Sequence, residues 1–203
     1  MFLIWGFAFV LISSYYFIPV FGSYFALLED WHLRFGIWAV IANRIFFCGL
    51  VPAVFMLSIK GLDEPRVWVV CLALTIWNLV WGIVCDAGFR LLAVWFGSGS
   101  DWGTLLMKTS VDQFAFTPLV VAPANAVFCF WLARDLSFVR VRREWPKRIY
   151  KDLVMPNLFA NWLIAIPVTF MMFSFPTPLQ IHVNSLNGSF AALLFLQIGR
   201  RTH

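Results

Sequence analysis

The sequence predicts an all-α fold, a polytopic bundle of transmembrane helices. Of its 203 residues, 62% are apolar and only 12% are charged, against about 45–50% and about 25% in soluble domains. A chain this short has too much surface to hide such an excess in a soluble core. The apolar residues also fall into runs long enough to cross a bilayer, without the alternation that a membrane β-barrel requires.

Six apolar runs define the predicted helices, at about 2–28, 35–59, 67–89, 111–133, 153–175 and 181–199. At 1.5 Å per residue, each run spans a hydrocarbon core of roughly 30 Å, the last one only just. The first and last runs are alternatively placed at the interface, which would leave four or five spans. We treat residues 1–203 as a single transmembrane domain, with the first run retained because it lacks the basic start of a signal peptide.

The distribution of charge predicts the topology. Seven basic residues crowd the longest loop: Arg134, Arg140, Arg142, Arg143, Lys147, Arg148 and Lys151. With six spans, this loop lies on the same side as both termini and residues 60–66, and the opposite side holds only Arg34, Arg90 and Lys108. Cytoplasmic loops collect Lys and Arg, so both termini are expected to be cytoplasmic. The apolar sequence on both sides of the loop argues against nucleic acid as a partner.

The loop at 134–152 has a pattern of its own. Phe138, Val141, Trp145 and Ile149 recur at steps of three and four residues, with basic residues between them. This pattern predicts an amphipathic helix on the membrane surface, with Pro146 starting its second half. Its basic side chains, residues 134–151, would bind anionic lipid headgroups. The alternative is a solvated charged loop.

Arg44 is the costliest residue in the predicted spans, because it lies near the middle of the second run. A central Arg costs about 2.5–3.5 kcal/mol on insertion scales. We therefore expect it to face the bundle interior and to meet an acid, either Asp86 or Asp112. Asp86 can also pair with Arg90, four residues on. A stabilising ion pair and a charge that lines a polar path are both open interpretations.

Amides and prolines also interrupt the apolar runs. Asn157 and Asn161 share one helix face, as do Asn184 and Asn187; such stripes either line a wet pore or join helices by hydrogen bonds. Each proline inside a run removes a backbone donor and tends to kink its helix. These prolines are Pro52, Pro118, Pro123, Pro156 and Pro167. Two in the fourth run suggest a bent or locally opened helix.

An acid and an amide, Asp112 and Gln113, stand together where the fourth run begins. Ser110 and Gln113 match a capping box, in which Ser110 bonds forward and the Gln113 side chain bonds back. Asp112 in a first turn suits the positive end of a helix. The alternative is that Asp112 and Gln113 face a polar path through the membrane.

Two stretches, KTSVDQFAFTP and NLFANWLIAIPVTFMMFSFPTPLQ, resemble the Mpv17/PMP22 family of organelle membrane proteins. The first matches the family's Lys-x-x-x-Asp-Gln-x-x-x-x-Pro segment, and a basic linker follows, as it does here. The matching residues are Lys108, Asp112, Gln113 and Pro118 in the first stretch, and Asn161, Trp162, Pro167, Phe173 and Pro176 in the second. Ala165, Met172 and Gln180 depart from the pattern, so the chain resembles a divergent member, either bacterial or organellar.

The resemblance implies a passive channel for small solutes, in a bacterial inner membrane or a mitochondrial or peroxisomal membrane. Arg44, Asp86, Asp112, Gln113, Asn157 and Asn161 are the candidate pore or polar-network residues. A second hypothesis is a membrane scaffold or lipid-interacting protein without transport. An enzyme is not expected, because no nucleophile with a base, carboxylate pair or ligand cluster can be assembled. The four cysteines and three histidines lack ligand spacing, so no metal or cofactor is expected.

Overall fold

The computed structural model describes residues 2–57 and 64–200; within these, the side chains of 2–5, 7–8, 11, 56–57, 64–67, 157, 160, 164, 187 and 190–200 are not described. The described residues form helices and turns without a strand, so the predicted all-α class is confirmed. The α-helices are α1 (Phe2–Phe17), α2 (Pro19–Phe35), α3 (Ile37–Arg44), α4 (Val51–Leu57), α5 (Glu64–Phe96), α6 (Trp102–Val111), α7 (Ala122–Leu132), α8 (Phe138–Arg143), α9 (Met155–Phe173) and α10 (Thr177–Arg200).

Among the described residues, three helices have the length and apolarity to cross a membrane: Ile37–Phe55, Trp68–Phe96 and Trp102–Leu132. These correspond to the second, third and fourth predicted runs. Their outward faces carry large apolar side chains, such as Leu72, Val80 and Leu119, that are more than half exposed. Such faces suit contact with lipid.

Wider, π-helical turns join several of these helices. Ile45–Leu50 links α3 to α4, Asp112–Val121 links α6 to α7, and Tyr150–Val154 leads into α9. A proline lies inside or just after each stretch: Pro118 and Pro123 in the helix at 102–132, Pro52 before α4 ends, and Pro156 at the start of α9. Because proline has no N–H and crowds the carbonyl four residues back, a wider turn accommodates it. The local opening expected of the fourth run is therefore present.

The first run is not one straight helix. Ile18 is extended (φ −114°, ψ 104°), and Pro19 opens α2 at its first position. Proline disfavours helical backbone in the residue before it and suits the first turn of the next helix. After the break, Phe25 of α2 packs on Phe175 (ring centroids 5.8 Å apart). The run predicted at 2–28 thus contains two helices, α1 and the start of α2, which meet at the extended residue Ile18.

Gly36 makes the turn from α2 into α3. Its φ is +53°, and its N–H donates to the carbonyl of His32 (2.8 Å). Glycine adopts a positive φ without the steric cost that a side chain brings. The turn places His32 at the end of α2 beside the start of the helix at 37–57.

The helix at 102–132 starts earlier than the sequence suggested. Asp101 is its N-cap, and the Asp101 carboxylate accepts a hydrogen bond from Thr104 N (3.0 Å). Hydrogen bonding to Thr104, from its side chain first and from its backbone N–H second, lowers the pKa of Asp101. Ser110 therefore lies inside a continuous helix, and the capping-box hypothesis is wrong. The N-cap preference for Asp was satisfied upstream, ahead of the apolar turn at 105–107.

The basic segment is less regular than an amphipathic helix over 134–152. Its helical part is α8, six residues long, capped by Ser137, whose side chain accepts from Arg140 N (3.4 Å). Arg134 pairs with Glu144 (3.0 Å) and Arg140 with Asp135 (2.6 Å) across the turns. Helical structure resumes only after Pro146, so the predicted second half belongs to the helix that continues into α9.

A compact apolar core joins five helices of the bundle. It contains Val40, Phe89, Leu92, Leu105, Met172, Phe173 and Ile181. Phe89 and Phe173 meet edge to face, with ring centroids 5.7 Å apart. This core holds α3, α5, α6, α9 and α10 together, and the polar residues described next lie between the helix at 37–57, α5 and α10.

Candidate functional site

Arg44 is the centre of the candidate site and is only 3% exposed. Its Nη2 donates to Asn184 Oδ1 (2.6 Å) and its Nη1 to Cys48 Sγ (3.7 Å). The prediction that Arg44 faces the interior is confirmed. The expected acidic partner is wrong: within the described part of the chain, neither Asp86 nor Asp112 lies within 4 Å of its guanidinium, and a neutral amide takes that place.

Two glycines make room for the Arg44 side chain. A Cβ added at Gly82 of α5 would lie 2.6 Å from Arg44 Cγ and 2.9 Å from its Nε. A Cβ at Gly188 of α10 would lie 3.8 Å from Arg44 Nη1. Arg44 Nε has no hydrogen-bond partner among the described residues. The cation is therefore confined in a narrow cleft between three helices, with one N–H unused.

Further polar contacts join α10 to the helix at 37–57 on either side of Arg44. Asn43 Nδ2 bonds to His182 Nδ1, and the Ser189 hydroxyl donates to the Phe47 carbonyl. The contacts follow one face of α10, where steps of three and four residues return to the same side. We call this set the polar seam: Asn43, Arg44, Cys48, Gly82, His182, Asn184, Ser185, Gly188 and Ser189.

A cluster of three titratable residues, His32, Asp86 and Arg90, lies next to His182 at one end of the seam. Arg90 Nε donates to Asp86 Oδ2 (2.8 Å), which confirms the pairing of these two residues on one helix face. Arg90 Nη2 lies 3.1 Å from His32 Nε2, and that nitrogen lies 3.5 Å from Asp86 Oδ1. A cavity of about 260 Å³, lined also by Leu33 and Thr177, adjoins this cluster. We call it the mouth.

His32 connects the mouth to the seam. Burial lowers the pKa of His32 more than the Asp86 carboxylate raises it, and Arg90 lowers it further. Since Arg90 only donates, His32 Nε2 accepts and the proton of the neutral ring is on Nδ1. The His32 and His182 rings meet edge to face, with centroids 5.5 Å apart. The polar contacts thus continue from Arg90 inward to Asn43.

A second polar cluster lies elsewhere, between the helix at 102–132 and α9. Gln113 Nε2 donates to Asp112 Oδ2 (2.7 Å) and to Thr169 Oγ1 (3.0 Å). Trp162 Nε1 donates to the Gln113 carbonyl (2.9 Å). We call this the amide cluster. It binds two helices together, which matches the interpretation of buried amides as interhelical contacts.

Of the other predicted polar residues whose side chains are described, Asn161 joins neither cluster. Asn161 is exposed on α9, and the side chain of Asn157 is outside the described residues. Lys108 is 1% exposed, and in the described part of the chain no acid lies within 4 Å of its ammonium group. The shared face expected for Asn157 and Asn161 therefore carries no argument for a pore.

The residues that carry the family resemblance lie at contacts between helices, in the apolar core, and in or just after α9. Tyr150 donates to the Pro118 carbonyl (3.1 Å), which ties the start of the helix at 150–173 to the helix at 102–132. Phe173 lies in the apolar core, Pro167 inside α9, and Pro176 in the turn before α10. A hydrogen bond joins two of the matched motif residues, Gln113 and Trp162, and Gln113 also bonds to Thr169 of the second stretch.

Sequence reasoning missed His32, His182, Ser185 and Ser189 as members of the site. It weighed the histidines as metal ligands by their spacing and set them aside. The one available signal was the series His182, Ser185, Ser189, which recurs at steps of three and four residues on one face of α10. No spacing in the chain pointed to the contact between His32 and α5, because 54 residues separate His32 from Asp86.

No protein-family model matches the chain, and no solved structure gives a significant match. Among the described residues, no three His, Cys, Asp or Glu side chains are grouped so that they could hold a metal ion. The features that bear on function are therefore the seam, the mouth and the membrane-length helices.

Proposed function

We propose that this chain is an integral membrane protein that passes small solutes through the polar seam. The observation that carries the proposal is Arg44, a cation buried between three helices with a neutral amide as its oxygen partner. Ionisable residues inside membrane helices are expensive, and they commonly mark a solute or ion pathway. Helix packing alone needs no such charge, since small and neutral polar residues suffice for it.

Buried atoms without partners support the same proposal. His32 Nδ1, Asn43 Oδ1, Arg44 Nε and His182 Nε2 are all buried without a hydrogen bond among the described residues. An unmade bond to a buried polar group costs about 1–3 kcal/mol, and such atoms are nearly always satisfied. We expect water or a passing solute to satisfy them, with the mouth as the point of entry.

Conductance of the purified protein in planar bilayers tests the proposal. Gly188→Leu fills the space beside Cys48 Sγ and Arg44, where an added Cβ already lies within 3.4 Å and 3.8 Å. We expect this variant to lose most of the conductance. Gly88→Leu is the matched control, because a Cβ there has nothing within 4 Å. A folded wild type that never conducts would refute the pathway.

The topology belongs to the same proposal. Six spans put both termini and residues 134–152 on the cytoplasmic side, in a bacterial inner membrane or a mitochondrial or peroxisomal one. Single cysteines at Phe2, His203 and Lys147, in a cysteine-free background, should then be labelled from one side, and one at Ser98 from the other. Labelling of Phe2 and His203 from opposite sides would end the six-span arrangement.

Membership of the Mpv17/PMP22 family is likewise a proposal. It is supported by the Lys108–Pro118 motif, by the basic linker, and by the contact of Gln113 with Trp162, which joins the two matched stretches. Trp162→Phe tests the contact, because it removes the indole N–H while the main-chain carbonyl of Gln113 stays in place. We expect a loss of about 1 kcal/mol in the free energy of unfolding, and an unchanged stability would show that this bond does not hold the two stretches together.

A second candidate function has its own support in the basic segment. Phe138 and Val139 are 74% and 79% exposed, beside the exposed Arg142 and Arg143. This combination suits insertion at an anionic membrane surface, worth about 1 kcal/mol per basic residue. Stabilisation of the wild type by phosphatidylglycerol, lost in Arg142→Ala/Arg143→Ala, would support a lipid-binding scaffold. Equal stabilisation of both proteins would exclude it.

A further inference from the structure

We infer that the seam passes small anions in preference to cations, with Arg44 as the selecting residue. This inference rests on the proposed function and names the class of solute. Among the described residues of the seam and mouth, Arg44 is the charge without a counterion. Asp86 is compensated by Arg90 at 2.8 Å, and the remaining side chains there are neutral amides, hydroxyls, a thiol and histidines.

The second acid, Asp112, has its hydrogen-bond partner in the amide cluster. Asp112 accepts from Gln113 (2.7 Å) in the amide cluster, which packs on Thr169 and Trp162 of α9. It makes no ion pair with Arg44 within 4 Å in the described part of the chain. A single cation in a medium of low dielectric acts on a passing ion far more strongly than it would in water. Rings and clusters of Arg or Lys select anions in this way.

The unpartnered atoms point to the same class of solute. Arg44 Nε and His32 Nδ1 carry hydrogens, as does His182 Nε2, because His182 Nδ1 accepts from the Asn43 amide. Among the described atoms of the seam and mouth that are buried without a partner, three are thus donors and one, Asn43 Oδ1, is an acceptor. An anion accepts from each of these donors in turn, whereas a metal cation needs oxygen ligands. Chloride, formate and similar small anions fit this chemistry.

The path is narrow, which limits the size of the anion. Arg44 itself fills the space beside both glycines. A Cβ added at Gly82 would lie 2.6 Å from Arg44 Cγ, and one added at Gly188 would lie 3.8 Å from Arg44 Nη1. An anion therefore passes by exchanging its hydration shell for the donors of the seam. We expect permeability to fall from chloride and formate to bulkier carboxylates.

The sharpest test replaces Asn184 by Asp. Aspartate has the shape of asparagine and keeps the oxygen that accepts from Arg44, but it neutralises the cation. We expect the reversal potential of the wild type in a KCl gradient to lie near that of chloride. Asn184→Asp should lower the chloride-to-potassium permeability ratio roughly tenfold. Arg44→Met should lower it similarly.

Asn125→Asp is the control for added charge. Asn125 is exposed on α7 and accepts from Trp77 Nε1 (2.9 Å) outside the seam, so its replacement should leave the reversal potential unchanged. Thermal melting of each variant in detergent confirms that the conducting protein is folded. A wild type that conducts but prefers potassium, or chloride preference that survives both Asn184→Asp and Arg44→Met, overturns the inference while the pathway stands. Absence of any conductance instead removes the pathway itself.

Discussion

Two buried charges of opposite sign, Arg44 and Asp112, are each met by a side-chain amide. Arg44 bonds to Asn184, 140 residues away (2.6 Å), whereas Asp112 bonds to its neighbour Gln113 (2.7 Å). Arg44 is fully enclosed and Asp112 only partly. The hydrogen-bond partner of Arg44 is thus in place only when the helices have assembled. The partner of Asp112 is its neighbour in the same helix.

The two charges are therefore stabilised in different ways. Asp112 is partly exposed, and its partner Gln113 also bonds to Thr169, so the amide cluster joins two helices. Among the described residues Arg44 has one oxygen partner, Asn184, and its cleft depends on the absence of side chains at Gly82 and Gly188. The amide cluster therefore compensates its charge within one helix, whereas the seam needs a partner from another helix.

Removal of the Arg44 partner should have the largest effect. Asn184→Ala leaves a buried cation without an oxygen, and hydrogen bonds to charged groups contribute about 1.5–3 kcal/mol. We expect a loss of about 3 kcal/mol in the free energy of unfolding, measured in detergent micelles. Asn125→Ala, at an exposed site, should lose much less. Equal losses in both variants would mean that Arg44 does not need Asn184.

Filling the cleft comes next. Gly82→Ala places a methyl group 2.6 Å from Arg44 Cγ, and overpacking costs about 1–3 kcal/mol. We expect about 2 kcal/mol of destabilisation by chemical unfolding. Gly88→Ala, on the same helix with open space around its Cβ, should be neutral or stabilising. A tolerated Gly82→Ala would show that Arg44 is free to move.

The amide cluster should respond less. Gln113→Ala removes the bonds to Asp112 and Thr169, but water can replace the bond to the partly exposed carboxylate. We expect a loss of about 1 kcal/mol in thermal unfolding, within the usual range for one net hydrogen bond, and an unchanged reversal potential. Asp112→Asn should be milder still, because it keeps an acceptor for Gln113. A shift in ion preference in either variant would place the amide cluster on the solute path.

Acidification should produce the smallest effect, and it acts at the mouth. Because the pKa of His32 is lowered in the folded protein, the unfolded chain binds more protons in the range below the ordinary value of 6.5. Stability therefore falls as pH is lowered through that range. Asp86, Arg90 and His182 face the ring. The decrease in melting temperature between about pH 7.5 and about pH 5.5 should be smaller in His32→Gln, and an identical decrease would clear His32.

Local sequence properties predicted much of the fold. The apolar runs located the helices at 37–57, 64–96, 150–173 and 177–200, with each end placed to within about two helical turns. The prolines signalled the wider turns. The start of the helix at 102–132 was misplaced, because Ser110 and Gln113 matched a cap pattern while Asp101, farther upstream, supplied the cap.

The sequence by itself determined the class of the protein, the burial of Arg44 and the pairing of Asp86 with Arg90, because each depends on hydropathy or on spacing within one helix. Only the tertiary structure decided that Arg44 meets Asn184 rather than an acid, that His32 meets His182, and that α2 packs against α5 and α10. These contacts join helices that are distant in the chain. Their choice depends on how whole helices pack, and the order of residues in any one helix does not encode it.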